Sequence, residues 1–220
     1  MKLAEAFENF RMSKIGVDKP STITWYEQRL KSLIKMYGDV ELENITPEAL
    51  DRWRAKLASR KTRYEDHPTR PCSNTRGLSV HTLHGHIRAC RTFFRFCCRR
   101  GYIDKNPAED LKRPRLPKEP PKHITDVDID RLLLAATDNP RDYAFIIVLA
   151  ATGGRIGGFV GLTWDHVDLE NGAIEIHEKF DKTNEYYLTE QALQALRYWS
   201  ERCPREHNAV FPTPTGEPLT

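Results

Sequence analysis

Apolar positions recur at intervals of three and four along most of this chain, and the pattern separates into four helices before residue 112 and a mixed set of elements after residue 122. Leu3, Phe7 and Phe10 share one face of a predicted helix over residues 3–15. Tyr26, Leu30, Leu33, Ile34 and Tyr37 mark a second, capped by Ser21 or Thr22 and running to about Tyr37. Thr46-Pro47-Glu48-Ala49 has the form of a helix start: a hydroxyl for the N-cap, proline at the first helical position and an acid in the first turn. That third helix carries Leu50, Trp53 and Leu57 inward. Ser79 caps the fourth, in which Val80, Leu83, Ile87, Cys90, Phe94 and Cys97 form one buried stripe, and Gly101 ends it.

The second half reads differently. Thr125 caps a helix through Leu134, and the apolar run Ala144 to Leu149 is long enough for a buried helix that stops at Thr152-Gly153-Gly154. Val167 and Leu169 alternate against Ile174 and Ile176 across Asn171-Gly172, the signal of a two-residue type I′ hairpin. Asp181-Lys182-Thr183-Asn184 supplies a second hairpin turn. Between the halves, Arg113-Pro114-Arg115-Leu116-Pro117-Lys118-Glu119-Pro120-Pro121-Lys122 cannot continue a helix, because its prolines remove donors and bias their neighbours to extended backbone. The expected fold is mainly α with a small antiparallel β-sheet. Residues 1–112 form a helical domain, 113–122 a basic semi-rigid linker and 123–220 a second domain.

Charge adds a division that the overall value conceals. The net charge is +3, yet residues 1–122 hold 26 Lys and Arg against 15 Asp and Glu, while the remainder holds 8 against 16. The first half therefore attracts a polyanion, with binding that weakens as salt rises. No apolar run approaches the roughly 18 residues of a membrane span, and the N-terminus lacks a signal-peptide core, which leads to a cytoplasmic expectation. Five cysteines without a CxxC pair are expected to be reduced and mostly buried.

The surplus is concentrated on the fourth helix. His81, His84, Arg88, Arg91, Arg95 and Arg99 form a second stripe, rotated by about one residue from the apolar one, and no acid lies between Ser79 and Tyr102. Stacked arginines without interleaved acids repel one another unless an anion lies across them, so this face is expected to meet DNA phosphates; a merely solvated basic surface is the alternative. Residues 60–77 show no hydrophobic periodicity and include Arg60, Lys61, Arg63 and Arg76. They are expected either to order on the DNA backbone, with Tyr64 stacked, or to be an insertion unrelated to DNA. The cluster His81, His84, His86 and Cys90 invites a metal reading, but at these spacings the side chains point around the helix.

Arg155 follows the glycine turn at the expected opening of a short helix, where a guanidinium fork beside free backbone N–H groups suits a pair of phosphate oxygens. An arginine that caps or salt-bridges the loop is the plain alternative. The longer string Ala151-Thr152-Gly153-Gly154-Arg155 through Leu162-Thr163-Trp164-Asp165-His166-Val167-Asp168 resembles the T-G-x-R-x-x-E-x-x-x-L-x-W-x-D-[IV]-D box of the tyrosine recombinases, or phage integrases. The Lys182 turn resembles their K-T-G turn, and Gly101 to Ala108 resembles the exit of their core-binding domain.

The resemblance implies a helical, SAM-like core-binding domain followed by the first part of an α+β catalytic domain, the two clamping duplex DNA. It implies strand cleavage and rejoining through a phosphotyrosyl intermediate, other recombinase protomers as partners, and no metal, nucleotide cofactor, small-molecule ligand or membrane. It makes Arg155 the first arginine that grips the scissile phosphate and Lys182 the hairpin lysine that protonates the leaving oxygen, with Lys179 as the competing candidate. Gly158 stands where the family has an acid, so Arg155 is expected to be less firmly oriented.

Val210-Phe211-Pro212 and Gly216-Glu217-Pro218-Leu219 resemble the segment before the family's H-x-x-R box, which, with the nucleophilic tyrosine, would fall after Thr220. The expectation is a truncated recombinase, inactive alone, with Tyr186 and Tyr187 poor substitutes and apolar surface exposed on the 143–151 helix. The alternative is a non-catalytic DNA-binding regulator.

Overall fold

The computed structural model describes residues 1–61, 77–118, 120, 123–177, 183–203, 208–213, 217 and 219. The chain divides into two compact units, Met1–Glu119 and Pro120–Thr220, with the division inside the proline-rich stretch.

Four helices build the first unit: α1 (Leu3–Met12), α2 (Pro20–Tyr37), α3 (Pro47–Ala58) and α4 (Val80–Arg99). The helix α1 ends before Ile15, because the chain turns through Gly16 at φ 77°. Ser21 and Thr22 do not cap α2; Lys19 is its N-cap and Pro20 the first helical residue, where a missing N–H costs nothing. The other starts are as the sequence indicates: Thr46 accepts from the Ala49 N–H, and Ser79 from the Thr82 N–H.

The core of this unit is aromatic. The Phe10 ring meets Tyr26, Phe93 and Phe96 edge-on at centroid distances of 5.1, 5.6 and 5.2 Å. From α4 come Ile87, Ala89, Cys90, Phe93, Phe94, Phe96 and Cys97, a wider face than the predicted stripe, whereas Val80 at the helix start is exposed. Burial pushes the Cys97 thiol up to about 12 and raises Cys90 further, so both stay protonated as small apolar side chains. The described cysteines are free.

In the second unit α5 (Asp126–Ala135), α6 (Pro140–Thr152) and the short α7 (Ile156–Val160) precede a three-stranded antiparallel sheet, and α8 (Glu190–Ser200) follows it. The strands β1 (Val167–Asp168), β2 (Ala173–His177) and β3 (Thr183–Tyr187) lie in that order. Thr125 and Asp128 form a reciprocal capping box at α5.

The first hairpin is not type I′. Asp168 pairs with Ala173, leaving a four-residue connection in which Gly172 has positive φ and Asn171 does not. The Asp168 carboxylate explains this: it accepts from the N–H groups of Glu170 and Asn171, each at 2.9 Å, and from the Asn171 side chain at 2.7 Å. Those bonds also hold its carboxyl below the usual range. Thr183 and Asn184 belong to β3, opposite His177 and Ile176.

The helices α6 and α8 and strand β2 enclose a core of Ala144, Val148, Phe159, Ile174, Ile176, Ala192 and Leu196. On α6 the residues Ala144, Ile147 and Val148 are buried and Phe145, Ile146 and Leu149 half-buried. Strongly exposed apolar side chains of this unit lie instead at and before α5 and on α7, with Ile124 68%, Leu134 77% and Ile156 61% exposed.

Candidate nucleic-acid interface and catalytic residues

The two faces of α4 separate cleanly. Opposite the buried face, Arg88, Arg95, Arg99 and His81 are exposed, and Arg91 and His84 half-buried. Among the described residues, none of the four arginines forms an ion pair. His86 turns into the core instead. Its ring Nδ1 lies 2.6 Å from the Arg29 carbonyl oxygen, which only accepts, so Nδ1 carries the proton. Burial pulls its pKa down to about 4, and the imidazole is neutral.

Two residues of α2 join this face without any signal in the local sequence pattern. Arg88 Cζ lies 4.8 Å from the Trp25 ring centre, and Arg29 Cζ lies 6.0 Å from it. Gly85 of α4 lies against both side chains: a Cβ there would stand 3.4 Å from Arg29 Nε and 3.7 Å from Trp25, ordinary contact distances. The one available hint was a glycine in a helix interior, which costs about 1 kcal/mol relative to alanine and so points to a packing reason. Desolvation lowers the Arg29 pKa, and among the described residues its Nε has no hydrogen-bond partner.

Arg60 and Lys61 leave the end of α3. With Lys35, Lys56, Trp53 and Ser32 they line a groove of about 540 Å³, and Trp53 donates to Ser32 Oγ at its base. Arg63, Tyr64 and Arg76 lie outside the described residues.

In the second unit Gly153 closes α6 in the left-handed conformation at φ 61°, and Arg155 follows as the N-cap of α7 with an exposed side chain. The Gly158 N–H donates to the Arg155 carbonyl at 2.9 Å, so the position expected to carry an acid contributes only backbone. Phe159 anchors this short helix: its ring fills the space beside Gly154 and lies 6.3 Å from Tyr186 on β3. The Arg155 turn is thereby braced against the strand that follows Lys182. Lys179 and Lys182 themselves lie outside the described residues.

Other residues of the motif are structural. Leu162 is buried and its carbonyl accepts from the Val210 N–H, the Trp164 N–H donates to the Asn208 carbonyl, the Asp165 side chain accepts from Asn208, and Asp168 organises the first hairpin. Trp199 on α8 donates to the Val210 carbonyl at 2.7 Å and fixes the same segment from the other side. Tyr187 is exposed and donates to Glu185 at 2.7 Å, which raises its pKa, while Tyr186 is half-buried.

Comparison with known proteins agrees with this architecture. Residues 122–220 match the phage integrase family model. Across its whole length the chain is 30% identical to tyrosine recombinase XerC of Xylella fastidiosa, covering 71% of that protein, and it is 31% identical to XerC of Alcanivorax borkumensis over 91% of the chain and 64% of that protein. Among solved structures, a lambda integrase dimer bound to a COC′ core site superposes with a TM-score of 0.75 at 16% identity, covering the whole chain and 76% of that one. The Tn1549 transposon integrase in complex with transposon right end DNA gives 0.78 at 18% identity, covering the whole chain and 74% of that one. At those identities the structures speak for the fold, and the XerC sequences carry the kinship. The chain belongs to the tyrosine recombinase, or phage integrase, family.

Proposed function

We propose that the chain provides the DNA grip and the first catalytic residues of a site-specific recombinase. In this reading the first unit is the core-binding domain, which lays α4 along duplex phosphates, and the second is the opening part of the catalytic domain. The observation that carries it is the α4 face, where four arginines stand without an acid and without an ion pair among the described residues. Such a face is stabilised when a polyanion lies across it.

The chemistry assigned to the second unit follows from charge. As a tyrosine attacks the scissile phosphate, negative charge grows on the nonbridging oxygens, and the Arg155 fork neutralises it. Lys182, or Lys179 beside it, gives a proton to the leaving 5′ oxygen. The two tyrosines of β3 already have partners, Tyr186 packing against Phe159 and Tyr187 donating to Glu185. The lambda integrase structures solved as a dimer on a core site and a tetramer on a Holliday junction support assembly with other protomers on DNA, and we place that assembly in the cytoplasm.

The test is incubation of the 220-residue chain with a nicked suicide duplex carrying candidate attachment sites, analysed for salt-dependent binding and, on a denaturing gel, for a covalent adduct. Salt-dependent binding without an adduct is the expected result. An adduct would show that a tyrosine within residues 1–220 attacks the phosphate, and absence of salt-dependent binding would overturn the DNA reading.

A further inference from the structure

We infer that Trp25 is a positioning residue for DNA binding: seated on α2 against α4 at Gly85, its indole fixes the Arg88 guanidinium, and with it Arg29, in the orientation that meets a duplex phosphate. The inference rests on the proposal that the α4 face binds DNA.

An exposed arginine on a helix samples many rotamers, and immobilising one on binding costs conformational entropy. Arg88 is already restrained. Its Cζ lies 4.8 Å from the Trp25 ring centre, within the range of attraction between a cation and an aromatic face. Trp25 in turn is not free to move. It contacts Tyr26 edge-on at 5.0 Å, packs against the aromatic core of the first unit, and has the Arg29 guanidinium 6.0 Å from its ring centre. Arg29 is held by its backbone as well, since its carbonyl accepts from buried His86.

Arg91, Arg95 and Arg99, further along the same helix, have no ring contact among the described residues. Among these four, Arg88 is therefore the arginine whose guanidinium is arranged by an aromatic ring before DNA arrives. Pre-arrangement raises affinity by reducing what is lost on binding.

The experiment measures binding of the full chain to a fluorescein-labelled duplex of random sequence by anisotropy across a salt series, in a double-mutant cycle of Trp25→Leu and Arg88→Ala. Trp25→Leu should weaken binding about fivefold and flatten the salt dependence, because Arg88 no longer sits at its phosphate. In the Arg88→Ala background, Trp25→Leu should change affinity less than about twofold. Trp25→Phe, which keeps an aromatic face, should recover most of the loss, and circular dichroism should show each variant folded. If Trp25→Leu costs the same with and without Arg88, Trp25 merely packs and the positioning role is overturned. If Arg88→Ala, Arg91→Ala and Arg95→Ala together leave binding unchanged, the DNA face itself is wrong and the inference fails with it.

Discussion

Phe159 occupies the volume into which a side chain on Gly154 would project, so the residue before Arg155 is restricted to glycine by packing. Replacing Gly154 by alanine pushes the ring from a buried site, and overpacking of this kind costs about 1–3 kcal/mol. Gly157, two residues past Arg155, faces open space. Its replacement by alanine should stabilise the short helix by up to about 1 kcal/mol. Urea unfolding of the two variants separates them: equal effects would show that Phe159 does not hold the Arg155 turn.

Neutralising Arg91 and Arg95 tests the solvent face of α4 independently of Trp25. Each phosphate contact contributes about 0.9 to the slope of log K against log salt, so the double Gln variant should lose nearly 2 from that slope. A parallel loss of affinity with an unchanged slope would show that the arginines act on the fold.

His86 predicts an acid sensitivity with a definite sign. Its folded pKa of about 4 lies below the ordinary value of 6.5, so the unfolded chain takes up the proton first as pH falls. The contribution is present above pH 6.5 and disappears progressively down to about pH 4, amounting to about 3 kcal/mol. His86→Gln should flatten this part of the pH profile relative to the parent, in urea unfolding series at fixed pH values. Parallel curves for the two proteins would remove His86 as the cause.

Tyr187 should ionise above the usual value of a free tyrosine, because the Glu185 carboxylate accepts its hydrogen bond and repels the phenolate. Glu185→Gln should bring that titration down, read by ultraviolet absorbance against a Tyr187→Phe reference. A downward shift supports the view that β3 suppresses its exposed phenol; no shift would leave Tyr187 an ordinary phenol and weaken the case against it as nucleophile.

What could be read from the sequence was local. Thr46, Ser79 and Thr125 announce their helices because a cap is decided within a few residues, and Gly153 ends α6 because one left-handed residue suffices. The errors share a cause, competition from a second local partner. Pro20 started α2 ahead of the Ser21 or Thr22 cap, and Asp168 captured the N–H of Asn171 before a two-residue turn could form. The place of Arg155 at the start of α7 was legible from the glycine turn before it, whereas the contact of Trp25 and Arg29 with α4 joins two helices far apart in the chain, which no window along the sequence contains.

The α4 arginines, which form no ion pair among the described residues, also bear on how long a molecule of this protein lasts. A ligand that binds only the folded state raises its stability by RT ln(1 + [L]/Kd), about 2.7 kcal/mol at a hundredfold excess over Kd. With mutual repulsion on its outer face relieved only by an anion, the first unit opens more readily when off DNA. Proteases sample that open form. The abundance of the chain should then follow the number of sites it can occupy, with surplus copies the first to be degraded.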